Sequence, residues 1–275
     1  MNRKKTQSES SSLAKVLLAL AALVVSGTGH AQDADSSSLL GDKTDVTLGL
    51  GMGFTPRYMG SDNYRSLVLP MLSIQRGVLF ADSTRGIGLQ WKSSSGFSAS
   101  AAFNYDFGRS DKNSSSRYGS NELKGMGTVE GATVADFTLG QELMPWLSVS
   151  GEAELRVAGE NRGNRYRLGL EGIAFHNDTD TVALDLDAHA GDGRYNQTYF
   201  GVTEEQSRLS RFSTFRADSG IYAYSAALNW LHTYDAHWSS STSLVVTHYT
   251  DQTRGSSLVE SDTDVMGMAA LNYTF

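Results

Sequence analysis

Asp185, Asp187 and His189 follow one another at i, i+2 and i+4, and serine is abundant along the whole chain. Two carboxylates and an imidazole are the groups of acid–base catalysis, and a serine among them would suggest a hydrolase. The spacing argues against that chemistry. In an extended segment, residues two apart form a row pointing one way, whereas a nucleophile, a base and its orienting group must converge within hydrogen-bond reach. No G-x-S-x-G nucleophile turn occurs. His176, His189, His232, His237 and His248 make no H-x-H or H-x-x-x-H pair and the chain has no Cys, so zinc finds no ligand pattern. Gly191-Asp192-Gly193-Arg194 lacks the regularly spaced acids of a calcium loop and reads as an Asp-Gly turn. No catalytic, cofactor or metal-binding set is therefore expected.

The same row gains meaning from its neighbours. Three consecutive segments present Glu152, Glu154 and Arg156, then Arg165, Arg167 and Glu171, then Asp185, Asp187 and His189, each opposite an apolar face. A hairpin centred near Asn177 or Asp178 would bring Arg167 beside Asp187 or His189, within reach of cross-strand pairing. Interleaved signs suit an internal ladder of ion pairs, and the alternative is a charged constriction that selects solutes.

The elements that hold these residues have a period of two. From Val46 to Phe54 every even position is apolar and the odd positions from Thr47 are Thr or Gly. The alternation returns in 97–106, 147–157, 182–189 and, with Val265, Ala269, Leu271, Tyr273 and Phe275 on one face, at the end of the chain. Several runs reach ten residues, where soluble sheets favour about five or six and a tilted bilayer-crossing strand needs about nine to eleven. Short connections (75–77, 92–96, 143–146, 176–180, 234–236) alternate with longer, more polar ones (55–65, 108–125, 158–165, 191–215, 250–261). Transmembrane barrels have that asymmetry, with short periplasmic turns and long outer loops. The expectation is an all-β, antiparallel, up-and-down transmembrane barrel of about twelve strands over 44–275, with both termini periplasmic; a soluble β-sandwich is the competing fold. The weak section is 67–91, where 78–81 is too short to span and Pro70 interrupts a strand; fewer strands there would make the count ten.

Composition agrees once the period is known. A hydrophobic fraction of 40% and a mean hydropathy of −0.30 look soluble on average, but alternation hides an apolar face inside such an average. The net charge of −7 has the wrong sign for neutralising nucleic-acid phosphates. Lys4 and Lys5, the apolar run 16–25, and Gly29 and Ala31 at the small cleavage positions make 1–31 an export signal, too short to span. Its removal would leave 19 basic and 29 acidic residues, a net of −10. Residues 32–43, rich in Ser and Asp, read as a flexible lead-in.

Two loop segments carry a family resemblance. Tyr58-Met59-Gly60-Ser61-Asp62-Asn63-Tyr64-Arg65, followed by Leu69-Pro70, is similar to the Y-x-G-S-D-D-Y-R…P stretch of the MipA/OmpV family, with Asn63 replacing the second Asp. Tyr195-Asn196-Gln197-Thr198-Tyr199-Phe200-Gly201-Val202-Thr203 resembles that family's Y-x-Q-x-Y-F-G-V-T. The terminal Tyr273-Thr274-Phe275 resembles the signal read by the barrel-assembly machinery. The resemblance implies an outer-membrane protein in contact with lipid, without catalytic residues. It also implies a scaffold role in the cell envelope, joining a lytic transglycosylase to a murein synthase and so serving peptidoglycan metabolism; a porin-like diffusion channel and a barrel hydrolase are the alternatives. The Tyr195, Tyr199 and Phe200 cluster either folds inward as a plug or faces a partner.

Overall fold

The computed structural model describes residues 39–275; the expected export signal 1–31 and positions 32–38 of the lead-in lie outside the described residues. Twelve antiparallel strands close into a barrel: β1 (Asp45–Pro56), β2 (Tyr64–Arg76), β3 (Leu79–Asp82), β4 (Gly86–Lys92), β5 (Phe97–Asp106), then β8 (Ala132–Met144), β9 (Leu147–Gly159), β10 (Arg165–His176), β11 (Asp180–Gly191), β12 (Gly220–Thr233), β13 (Trp238–Tyr249) and β14 (Thr263–Thr274). A two-residue parallel pair, β6 (Arg109–Ser110) and β7 (Tyr118–Gly119), lies in the loop between β5 and β8. β1 meets β14 with Leu48 opposite Tyr273 and Leu50 opposite Leu271, and Phe275 donates its N–H to Val46 O at 3.0 Å, so the last residue completes the seam.

Period-two sequence places the apolar residues outside. Leu50 is 59% exposed and Leu168 61%, while Thr47, Glu154 and Asp187 face inward. An outward apolar wall flanked by aromatic rings fits a bilayer and not water. At the end carrying the termini, Trp238 packs on Tyr273 and Tyr273 on Phe275, each with centroids 4.9 Å apart, and Trp91 stands 6.2 Å from Phe97. Phe54 and Tyr64, 6.2 Å apart, mark the other girdle. Connections at the termini end are tight turns; those at the opposite end, apart from the three-residue turn between β3 and β4, are longer and fold on one another.

Section 67–91 accounts for the count of twelve. β2 runs unbroken through Pro70, which stands opposite Leu50 of β1. Leu72 exchanges hydrogen bonds with Ser83 on the β3 side, so by alternation the backbone groups of Pro70 also point to that side. There β2 pairs only from Ser73 to Arg76, because β3 has four residues and β4 seven. The missing proline N–H therefore costs no ladder bond, and twelve strands close although two of them are short.

The apolar core sits in the barrel mouth. One cluster joins Tyr195, Tyr199 and Phe200 to Tyr222, Tyr249 and Val259; a second joins Tyr58, Leu123, Met126, Val202, Phe212 and Leu258. Long loops thus bury their own hydrophobic residues at the end away from the termini.

Candidate functional site: a charged lumen beneath a closed mouth

The stopper is built from the second motif segment. Residues 193–200 form helix α1 (Gly193–Phe200), capped by Asp192, whose carboxylate accepts from Tyr195 N at 2.7 Å and from Asn164 N at 2.9 Å. Gly191-Asp192-Gly193-Arg194 is thus a helix start and not the free Asp-Gly turn its sequence suggests. Gly163 holds φ +85°, and a Cβ there would stand 2.3 Å from Tyr195 N; only glycine lets the 160–164 loop approach so closely. Tyr195, Tyr199 and Phe200 are buried among rings, with Phe200 5.3 Å from Tyr222 and 5.9 Å from Tyr249. The cluster folds inward.

The remaining motif residues fasten this stopper. Arg109 Nη1 donates to Tyr199 O at 2.9 Å and Ser256 Oγ to Phe200 O at 2.5 Å. Gln197 Oε1 accepts from Ala217 N at 3.0 Å, and Gly201 N–H caps the helix on Gln197 O at 3.0 Å. Val202 pairs with Phe215 before helix α2 (Glu204–Leu209), which starts in a capping box between Thr203 and Gln206. From the first motif, Tyr58 donates to Glu260 Oε2 at 2.6 Å, Ser61 is buried, and Gly60, at φ +80°, lies against Val259 while its N–H reaches Asp264 Oδ2 at 3.1 Å. The first loop is thereby tied to the last, which carries the single turn α3 (Asp251–Arg254). Tyr64 accepts from Val265 N at 3.2 Å. Asp62 stays exposed, hydrogen-bonded to Asn63. Asp62, Glu122 and Glu260 gather their oxygens within 4.8 Å, but Arg211 pairs with Glu260 and lies 3.6 Å from Glu122, so the cluster carries its own cation.

Burial sets the protonation of these mouth groups. It pushes the Tyr195 and Tyr199 phenols far above their ordinary range and draws the Arg109 guanidinium down. Burial also opposes the charge of Arg162, but Asp106 and Glu154 more than offset it and raise its pKa.

Below the stopper, charged side chains from adjacent strands meet in pairs. Arg162, fully buried, places Nε 2.8 Å from Asp106 and bonds Glu154, which also accepts from Arg165 at 2.5 Å. Arg167 bridges Glu152 at 3.0 Å and Asp187 at 2.8 Å. His189 lies directly across from Arg167 in the register, yet its Nε2 meets Ser225 Oγ at 2.9 Å. Ser225 in turn stands 3.3 Å from Asp187 Oδ2, so the carboxylate bonds the serine and not the far side of the imidazole. That is a lumen network, without the serine–imidazole–carboxylate order of a hydrolase. Asp185 takes Asn229 Nδ2 at 2.6 Å. Arg156 stays outside the ladder and donates to Gly159 O at 3.2 Å. Among the described residues Glu171, Asp185 and Asp136 join no ion pair, and Arg85, 4.2 Å over the Phe80 ring and bonded to Gln90, has none either. Tyr273 stacks in the aromatic girdle and Phe275 on the seam, away from this lumen.

Two spaces flank the ladder. A chamber of about 210 Å³ lies under the stopper, lined by Tyr195, Tyr222, Tyr249, Asp187, His189 and Asp264 among others. A vestibule of about 520 Å³ opens toward the termini end, bounded by Gln75, Arg85, Gln90, Ser241 and Asn272. Both motif loops and every barrel strand that holds the ladder fall within residues 48–275, which match the family model described as MltA-interacting protein MipA. The chain belongs to this family.

Structural likenesses of this MipA-family chain are to barrels. A KdgM porin shares 9% identity at TM-score 0.40, covering 84% of this chain and 99% of that one. A NanC porin shares 10% at 0.42, covering 84% and 99%. An outer membrane channel from Pseudomonas putida F1 shares 12% at 0.45, covering 90% and 100%. No curated protein matches the sequence.

Several participants are invisible to motif reading. Arg162 sits in the 160–164 loop, where only Gly163 hints at a turn that could aim it inward. Asp106, Ser225 and Asn229 occupy inward positions of alternating strands, so strand parity could find them. Arg85 belongs to the turn after β3, whose shortness hid its place in the lumen.

Proposed function

We propose that this MipA-family barrel is a non-enzymatic scaffold of the outer membrane, with its termini and vestibule on the periplasmic side, that binds murein-processing enzymes there. The closed mouth carries the reading: a barrel that buries Tyr195, Tyr199 and Phe200 under its outer loops is poorly suited to free diffusion, whereas its termini end stays accessible. The family's description as MltA-interacting supports the choice of a murein enzyme as partner; the pairing of a lytic transglycosylase with a murein synthase rests on the family resemblance. Residues 1–31 serve export and are removed, and the Tyr273 to Phe275 end serves recognition by the assembly machinery. Affinity capture from detergent-solubilised envelopes is the test. Recovery of a lytic transglycosylase or a murein synthase is expected; recovery of neither rejects the scaffold.

A second reading has its own observation. The unpaired carboxylates Asp136, Glu171 and Asp185, with the vestibule below them, suit a narrow path for cations once the stopper lifts. Ion selectivity measured on a stopper-free variant separates the two, because a scaffold needs no selective path.

A further inference from the structure

The barrel wall is not hydrogen-bonded all the way up. β2 has no strand partner on its outer edge above Ser73, and β5 has none beyond Phe103 on the side facing β2, because the β3–β4 hairpin turns back at Ser83, Thr84 and Arg85. β2 and β5 stand three strand positions apart there, about 14 Å at the usual inter-strand spacing. Such an edge is normally paired or covered, since unpaired backbone groups facing lipid are costly. Here the segment after β5 crosses the top: Gly119 N donates to Arg57 O at 2.7 Å, Arg65 Nη1 donates to Ser114 O at 3.1 Å, and the Arg65 guanidinium lies 5.6 Å from the Tyr118 ring. Asn104 Nδ2, donating to Thr84 O at 3.0 Å, forms the sill.

The chamber beneath the stopper reaches this break. Its lining includes Thr84, Asn104, Tyr105 and Phe107 at the edge as well as Tyr222 and Tyr249 deep inside. Phe107 packs on the outward ring of Tyr105 with centroids 5.0 Å apart, so the aromatic lining continues to the outer, lipid-facing surface. At the inner end lies Asp264, 8% exposed, whose Oδ2 accepts from Tyr249 at 2.6 Å and from Gly60 N while Oδ1 has no partner. A buried acceptor left open in an aromatic chamber calls for a donor.

We propose that the break between β2 and β5 is a lateral doorway through which a small amphiphile enters the chamber from the membrane, its apolar body among the tyrosines and a protonated amine on Asp264. The other lining acids, Asp106, Glu154 and Asp187, are paired with Arg162, Arg165 and Arg167, so among the described residues Asp264 is the lining carboxylate that joins no ion pair. At the volume one water needs, about 210 Å³ admits roughly fifteen heavy atoms, the size of a short alkyl or aryl amine. The doorway functions whether or not the barrel binds murein enzymes.

The test uses the full barrel in lipid nanodiscs and a photoactivatable diazirine derivative of dodecylamine, with the matching alcohol and carboxylate as comparison probes. Crosslinks mapped by mass spectrometry are expected at Tyr105, Phe107, Tyr222 or Tyr249 for the amine, at least tenfold above the carboxylate. Asp264→Asn, which keeps an acceptor for Tyr249 and Gly60, is expected to remove that preference. Asn104→Trp, which fills the sill, is expected to remove chamber crosslinks while the unboiled protein still migrates as a folded barrel. Equal labelling by amine and carboxylate, labelling confined to the outer wall, or chamber labelling unchanged by Asn104→Trp overturns the proposal. Alcohol labelling equal to the amine overturns the choice of a charged head.

Discussion

Phe200→Ala loosens the stopper without touching the barrel wall. Phe200 is 1% exposed and packs on Tyr222 and Tyr249, and truncating such a ring costs about 3–5 kcal/mol. The adjoining chamber gives neighbours room to move and water room to enter, which favours the lower end, about 3 kcal/mol. If α1 docks as a local unit, that cost falls on its opening, and at about 1.4 kcal/mol per factor of ten the open population rises roughly a hundredfold. Amide hydrogen exchange read by mass spectrometry reports this directly. Val202 N loses Phe215 O when α1 lifts, and the eight-residue helix, too short to hold alone, melts and frees Asn196 N and Gly201 N from Asp192 O and Gln197 O, so peptides over 193–202 are expected to exchange about a hundredfold faster. Peptides from β10 and β11 are expected to keep the wild-type rate. Acceleration below threefold over 193–202, or equal acceleration throughout the barrel, refutes a locally docked stopper.

Other expectations follow from single features. Arg162→Met leaves the buried Glu154 and the partly exposed Asp106 without this cation; because Glu154 retains Arg165, the cost is set near the low end for a broken buried pair, about 3 kcal/mol, and combining it with Glu154→Gln is expected to cost at least about 1 kcal/mol less than the sum of the singles. Urea unfolding in lipid checks the cycle, and additivity contradicts the pair. Pro70→Val is expected to leave stability within about 0.5 kcal/mol, whereas Met71→Pro, which removes a donor facing β1 beside Gly49, destabilises by at least about 1 kcal/mol in the same assay. In the turn after β12, the Asp235 carboxylate accepts from His237 N and Trp238 N, each at 2.8 Å, and these bonds hold its pKa below the ordinary carboxylate value. A depressed folded pKa gives stability that is present above the unfolded value, about 3.9, and is lost as pH falls through the folded one. The unfolding midpoints of wild type and Asp235→Asn are therefore expected to differ at pH 7 and to converge as pH falls below the ordinary carboxylate value; a gap that widens in acid contradicts the cap.

Legibility followed periodicity. Leu48, Leu50 and Met52 announce a lipid-facing strand because each stands two residues from the next, and the same rule brings Arg167 near Asp187. The stopper obeyed no such rule. α1 has only eight residues and its Tyr195, Tyr199 and Phe200 gain their burial from rings contributed by β12 and β13, so no local pattern distinguishes an inward plug from an outward docking surface. The capping box of Thr203 and Gln206 was readable and would have flagged α2. The doorway was beyond reach for a related reason: 78–81 looked too short to span, and it is short, but only the pairing of its neighbours turns that shortness into a break in the wall.

Planar-bilayer recording of the purified wild type, beside a variant in which Asp192 is joined directly to Ser219, tests the closed mouth most directly. The wild type is expected to stay silent and the variant to conduct. Discrete conductance steps from the wild type, altered by Arg167→Ala, would contradict the closed mouth and make the barrel a channel.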